Sequence, residues 1–207
     1  MKTFLHYFKG AFIFSVVMLV MCGLLYPLAL TGVSQLAFHD KANGSLITVN
    51  GKDIGSEFVG QDFTDKRLFK CRPSAVNYNT YTEEDKKNGD YAGIASGSNN
   101  YGNTNPALKE RVQQDIDEFL AANPGVKETD LPGDLLTASG SGLDPHISVE
   151  SATIQIPAIA KASGLSEEKL LEIVNSNTEE KSFGVLGEQK VNVLKCNLEI
   201  AQLIGLI

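Results

Sequence analysis

AFIFSVVMLVMCGLLYPLAL, residues 11–30, runs twenty positions without a charge. A bilayer core about 30 Å thick needs about 20 apolar residues at ~1.5 Å each, and this stretch supplies them. A buried core helix would show a polar face, and none is visible here. A cleaved signal peptide would have a shorter apolar region ending in a small-x-small site, whereas this run continues through Pro27 to Leu30. Lipid attachment at Cys22 would want a small residue before it, where Met21 stands. The expectation is an uncleaved anchor: a tail over 1–10, a transmembrane helix over 11–30 and one extracytoplasmic domain over 38–207.

Lys2 and Lys9 flank the span on its N-terminal side, and no acid precedes Asp40. Positive charge at the short end keeps that end in the cytoplasm, which puts the remaining chain outside. Beyond the span 16 lysines and arginines stand against 25 acids, a net charge of −9. Such a domain is a poor ligand for nucleic acid or for an anionic lipid surface. One span can neither enclose a pore nor build transporter repeats, so the chain alone is not a channel or pump. The 170 residues after Ala37 make one ordinary domain. Cys71 and Cys196 could pair only if the fold brings them together.

Local signals point to α+β. Asn50-Gly51 suits a type I′ turn between Leu46–Val49 and a returning arm with Ile54, Phe58 and Val59. Asn105-Pro106 opens a helix whose Leu108, Val112, Ile116, Phe119 and Leu120 share one face, ended by Asn123-Pro124-Gly125. A helical stretch follows Ser148, bends at Pro157 and closes at Gly164. Ser166 caps the next helix, with Leu165 stapling to Leu170, and Asn192 starts the last, where Leu194, Leu198 and Ala201 pack inward. Between Pro73 and Thr104 no apolar period runs. Asparagines 77, 79, 88, 99, 100 and 103 alternate there with Tyr78, Tyr81, Tyr91 and Tyr101. A loop this long is either an ordered contact surface or a lobe packed by its own tyrosines, and both readings stay open.

Chemistry is sparse. Ser139 or Ser141 with Asp144 and His146 invites a hydrolase reading, but a triad gathers residues from separate elements, and no G-x-S-x-G elbow is present. A Gly-Ser turn redirected by Asp144-Pro145 explains the same residues. His6, His39 and His146 have no ligand partner at metal spacing, and His39 reads as an interfacial polar residue. Asp130 and Asp134 do not make a calcium loop. Gly55 to Gly60 has phosphate-loop spacing, but Gln61 follows where lysine is required. No cofactor is therefore bound by motif. An anchored hydrolase and an anchored solute-binding module remain as alternatives.

Three segments carry a resemblance: Arg72-Pro73-Ser74-Ala75; Ser96-Gly97-Ser98-Asn99 with Asn105-Pro106; and Thr137-Ala138-Ser139-Gly140-Ser141-Gly142-Leu143-Asp144-Pro145-His146-Ile147-Ser148. With Gln155, Ala160, Gly164-Leu165, Leu186-Gly187-Glu188, Val191-Asn192-Val193-Leu194 and Asn197, the chain resembles the C chain of the bacterial potassium-transporting ATPase, the KdpC family, over nearly its whole length. The twelve-residue run is the most specific part. Cys71 before the Arg-Pro and Ala95-Ser96-Gly97, where a further glycine is expected, are small departures.

The resemblance implies a non-catalytic subunit of a high-affinity potassium uptake pump in the bacterial inner membrane. Its implied partners are a channel-like potassium-translocating subunit, a P-type ATPase subunit and a small single-span subunit. ATP and potassium are then handled by those partners, and this chain raises the ATP affinity of the ATPase subunit as a catalytic chaperone. Partner contacts are expected at Arg72, Asn77, Tyr78, Asn99, Tyr101, Asn105, Asp144 and His146. Gly10, Ser15, Gly23 and Ala29 are expected to allow close helix packing in the bilayer.

Overall fold

The computed structural model describes residues 2–89 and 93–207, so Tyr91 lies outside the described residues. The chain divides into two units, one ending at Leu46 and one from Ile47 to Ile207. The first unit is dominated by a helix longer than the charge-free run: α1 (Lys2–Val20), a widened turn (Met21–Leu25) and α2 (Tyr26–Ala37) are continuous. From Phe4 to Ala37 it is long and apolar enough to cross a membrane, and none of its most apolar stretch is buried. The widened turn has a cause. In a regular helix the Pro27 ring would clash with the Gly23 carbonyl, and here the Tyr26 N–H donates five residues back, to the Met21 oxygen. A short helix α3 (His39–Ala42) follows, braced by paired side-chain amides of Gln35 and Asn43 at 3.1 and 3.3 Å.

The second unit mixes small antiparallel sheets with helices. β1 (Leu46–Val49) and β2 (Lys52–Ser56) form the expected hairpin, with φ 51° at Asn50 and 78° at Gly51 as a type I′ turn requires. Phe58 and Val59 do not extend the second arm. The strand ends at Ser56, and both side chains are exposed. α4 (Glu83–Asn88) carries a capping box between Thr82 and Asp85. α5 (Pro106–Ala122) starts where Asn105 Oδ1 accepts the Ala107 N–H at 2.9 Å, and Ile116 lies at the buried centre of its apolar face.

The core forms around β3 (His146–Ile147), α6 (Val149–Thr153), α7 (Ile156–Ser163), α8 (Glu167–Ser176), β4 (Thr178–Glu179), β5 (Lys190–Asn192) and α9 (Val193–Leu203). β5 is the middle strand, pairing Ile147 with Val191 on one side and Thr178 with Val191 on the other. Ile156, Leu170, Ile173, Val191, Val193 and Ile200 close over one another as a single apolar cluster. Burying each such side chain fully is worth about 1.5–3 kcal/mol, so this cluster carries much of the stability.

Helix ends follow the sequence. Ser148, Ser166 and Asn192 accept the N–H groups of Ser151, Lys169 and Lys195, and Gly164 closes α7 with φ 77°. Two details differ from expectation. The stretch after Ser148 breaks at Ile154–Gln155 instead of bending at Pro157, because Pro157 sits in the first turn of α7, where its missing N–H costs nothing. Leu198 is only partly buried, and the inward face of α9 is instead Val193, Leu194, Cys196, Asn197, Ile200 and Ala201.

Candidate functional site

The twelve residues Thr137–Ser148 form a meeting line for distant segments. The Ser141 carbonyl accepts from Gly97 N–H at 2.7 Å and from Ser96 Oγ at 3.1 Å. The Gly142 carbonyl takes Ser74 Oγ at 2.6 Å, the Leu143 carbonyl Gly60 N–H at 2.8 Å, and the Pro145 carbonyl Val193 N–H at 3.0 Å. Four near-consecutive carbonyls therefore each hold a different part of the chain. Close approach demands glycine at two points. A Cβ on Gly60 would meet the Asp144 oxygen and Tyr78 Cε1 at 2.7 Å, and one on Gly142 would meet the Gly97 oxygen at 2.7 Å.

The hydroxyls of this run serve its own turn. Ser139 Oγ accepts the Gly142 N–H at 2.9 Å and Ser141 Oγ accepts the Leu143 N–H at 3.1 Å. His146 is turned to carboxylates, not to either serine: its N–H and Nδ1 lie 3.0 and 3.3 Å from Asp144 Oδ1. Glu179 Oε1 stands 3.5 Å from Nε2, near enough for an ion pair with imidazolium, yet Nε2 is buried outside hydrogen-bond geometry.

Charges alternate outward from His146. Asp144 pairs with Arg72 at 3.3 Å, and Glu179 with Lys190 at 3.0 Å. Arg72 also reaches the Thr137 carbonyl at 3.3 Å and the Thr137 hydroxyl at 3.4 Å. Burial pushes the Asp144 carboxyl upward, but the His146 hydrogen bonds and the Arg72 charge outweigh it and hold the group below the usual carboxylate range. Glu179 is likewise held low, burial being outweighed chiefly by Lys190. Tyr78 is raised by burial, and its neutral phenol donates to the Arg72 carbonyl at 2.5 Å.

Of the residues picked out in the sequence, Arg72, Tyr78, Asp144 and His146 are thus brought together. Asn77 instead donates to the Thr80 carbonyl at 2.9 Å, Asn105 caps α5, and Asn99 and Tyr101 are exposed. Gly10, Ser15, Gly23 and Ala29 lie on the exposed helix of the first unit, where a Cβ on Gly10 would meet nothing within 4 Å. All three cysteines are free, and burial pushes the Cys71 and Cys196 thiols up to about 12.

Sequence reasoning missed a set of amides that brace backbone outside the helices and strands. Asn197 Oδ1 accepts the Phe69 N–H at 2.7 Å while its Nδ2 donates to the Phe69 carbonyl at 2.9 Å. Gln155 does the same to Lys70 at 2.8 and 3.3 Å, and Asn79 to Ala95 at 2.9 and 3.0 Å. Asn192 Nδ2 holds the Glu57 carbonyl at 2.8 Å. An amide on the buried stripe of an amphipathic helix, as at Asn197, is the signal that could have found them.

The family described as KdpC, K+-transporting ATPase, c chain, matches residues 8–202. The chain belongs to the KdpC family. The potassium-transporting ATPase KdpC subunit of Clostridioides difficile is 65% identical over 204 residues, covering 96% of this chain and 98% of its own. That of Clostridium kluyveri is 62% identical over 206 residues, covering 100% and 98%. The KdpC subunit of Rhodopseudomonas palustris is 44% identical over 193 residues, covering 93% and 94%. The chain is thus a KdpC subunit of a potassium-transporting ATPase, and the one helix of membrane-crossing length among the described residues fits a chain of a membrane complex.

Proposed function

We propose that the chain is a non-catalytic accessory subunit, anchored by its one span with the N-terminus in the cytoplasm and the domain outside. It holds together a channel-like potassium-translocating subunit, a P-type ATPase subunit and a small single-span subunit. ATP and potassium are bound by those partners. Gly10, Ser15, Gly23 and Ala29 let partner helices approach closely in the bilayer. Exposed Asn77, Asn99 and Tyr101, with Asn105 four residues on from Tyr101, belong to the contact surface, while Arg72, Tyr78, Asp144 and His146 keep its scaffold in shape.

One observation carries the non-catalytic reading: the hydroxyls of Ser139 and Ser141 are taken up by the N–H groups of Gly142 and Leu143, and His146 is engaged by Asp144. The motif that looks most like a nucleophile site is used as a brace. Outside the membrane the domain does not face cytoplasmic ATP, so its effect on ATP affinity reaches the ATPase subunit as a conformational bias through the assembly. A coupling of about 1–3 kcal/mol corresponds to roughly 5- to 150-fold in affinity. The KM for ATP of the assembled pump, measured with and without this chain, is therefore expected to rise at least about 5-fold on its removal. An unchanged KM in an intact remaining assembly contradicts the chaperone role.

A further inference from the structure

Both nitrogens of the His146 ring face acceptors. The side chain is 12% exposed, with Nδ1 3.3 Å from Asp144 Oδ1 and Nε2 3.5 Å from Glu179 Oε1. Among the described residues, Nε2 is the buried side-chain nitrogen or oxygen left without a hydrogen bond. An ionised carboxylate only accepts, and a neutral imidazole carries one N–H for its two nitrogens. With that N–H given to Asp144, the Nε2 lone pair faces a carboxylate oxygen, acceptor against acceptor. An imidazolium carries two N–H groups and serves both carboxylates.

The two carboxylates belong to different parts of the fold. β3 and β4 flank β5, with His146 opposite Asn192 and Glu179 opposite Lys190. Lys190 and Asn192 are two apart and share a face, so the ring reaches diagonally over β5 to Glu179. In sheet order the strands are two, three and two residues long, so a side-chain tie across them adds substantially to a short ladder. Four charged groups surround the ring: Asp144 on its own segment, Arg72 paired to Asp144, Glu179 on β4, and Lys190 of β5 paired to Glu179. Burial pushes both carboxyls upward, but their hydrogen bonds and cationic neighbours outweigh it and hold both low. The carboxylates therefore keep their charge while an imidazole gains or loses its proton.

We propose that His146 is a proton-operated clasp: as imidazolium it joins Asp144 to Glu179 and ties the 137–148 run to β4, and as neutral imidazole it releases Glu179. The tie needs the second ring proton, so it is present on the acid side of the histidine range and lost as pH rises through it. The run that it tightens holds Ser74, Gly97 and Gly60 through its carbonyls. Acid in the compartment of the domain thus firms the segment that carries Asn77, Asn99 and Tyr101. That consequence rests on the proposed contact surface, whereas the clasp itself does not.

The test is amide hydrogen exchange of the full chain in detergent micelles at about pH 5 and about pH 8, either side of the histidine range, each rate divided by its intrinsic value at that pH. The reporters are the N–H groups of Asn192, which donates to the Asn177 carbonyl at 3.1 Å, and Val193, which donates to the Pro145 carbonyl at 3.0 Å. In the wild-type chain their protection is expected to fall at least about 5-fold from the lower pH to the higher. In Glu179→Gln and in His146→Gln the fall is expected to shrink below about 2-fold, because one lacks the second carboxylate and the other the titrating ring. Equal protection at the two pH values in the wild-type chain overturns the clasp, as does an undiminished fall in Glu179→Gln. Should His146→Gln not fold, Glu179→Gln decides alone, since its side chain is 40% exposed and the change keeps its size. The measurement needs no partner, so its failure leaves subunit membership untouched.

Discussion

Replacing Asn197 by leucine is expected to cost the domain about 2–5 kcal/mol of unfolding free energy. Leucine has nearly the same shape, so the change removes polar partners and little packing. Asn197 is 2% exposed and serves both the N–H and the carbonyl of Phe69, itself 1% exposed. Both backbone groups would stay buried with no partner, at about 1–3 kcal/mol each. The added apolar burial returns part of that, since about 25 cal/mol is gained per Å² of apolar surface removed from water. For a domain of this size about 1 kcal/mol moves the melting temperature by roughly 2–4 °C, so a fall of about 5–15 °C is expected in a thermal scan. A shift under about 2 °C would mean that the Phe69 segment finds other partners.

Gly142→Ala is the second large effect, at about 2–4 kcal/mol. Its φ of 67° already penalises any side chain by about 1 kcal/mol. The added methyl would stand 2.7 Å from the Gly97 carbonyl oxygen and 2.8 Å from Val76 Cγ2. Val76 can move, but the Gly97 carbonyl is backbone, and displacing it strains the 2.7 Å bond from Gly97 N–H to Ser141. The neighbouring Gly140→Ala is the control, because a methyl there meets nothing within 4 Å and φ is not left-handed. Denaturant unfolding of the two variants should separate them by at least about 2 kcal/mol. Equal stabilities would contradict the reading of the 137–148 run as a structural meeting line.

What could be read from the sequence is what is local. The turn at Asn50-Gly51, the caps at Asn105 and Ser166, the helix starts after Ser148 and at Asn192, and the stop at Gly164 each depend on residues within four positions, and each was legible. The long apolar helix was legible for the same reason, although its ends were not, since the helix runs on past the charge-free stretch to Ala37.

The amide braces were hidden because each acts on a backbone group far away, 128 residues from Asn197 and 85 from Gln155. A backbone N–H carries no residue signature. The Asn-rich stretch illustrates the limit. Its composition left a contact surface and a self-packed lobe both open, and the structure shows Asn79 taken up by Ala95 and Tyr78 turned to the Arg72 carbonyl with φ 48° between two left-handed asparagines. In the 137–148 run the residue types suggested chemistry, while the work is done by its carbonyls, which any sequence would supply. Only their positions, fixed by Gly60 and Gly142, make the run specific.

The most direct measurement is a mild-detergent purification of the tagged full chain from membranes of potassium-starved cells, with every co-purifying polypeptide identified by mass. Recovery of a large multi-span potassium-translocating protein together with a P-type ATPase, in fixed proportion to the chain, is the predicted result. A chain that purifies alone from membranes in which both proteins are present would contradict it.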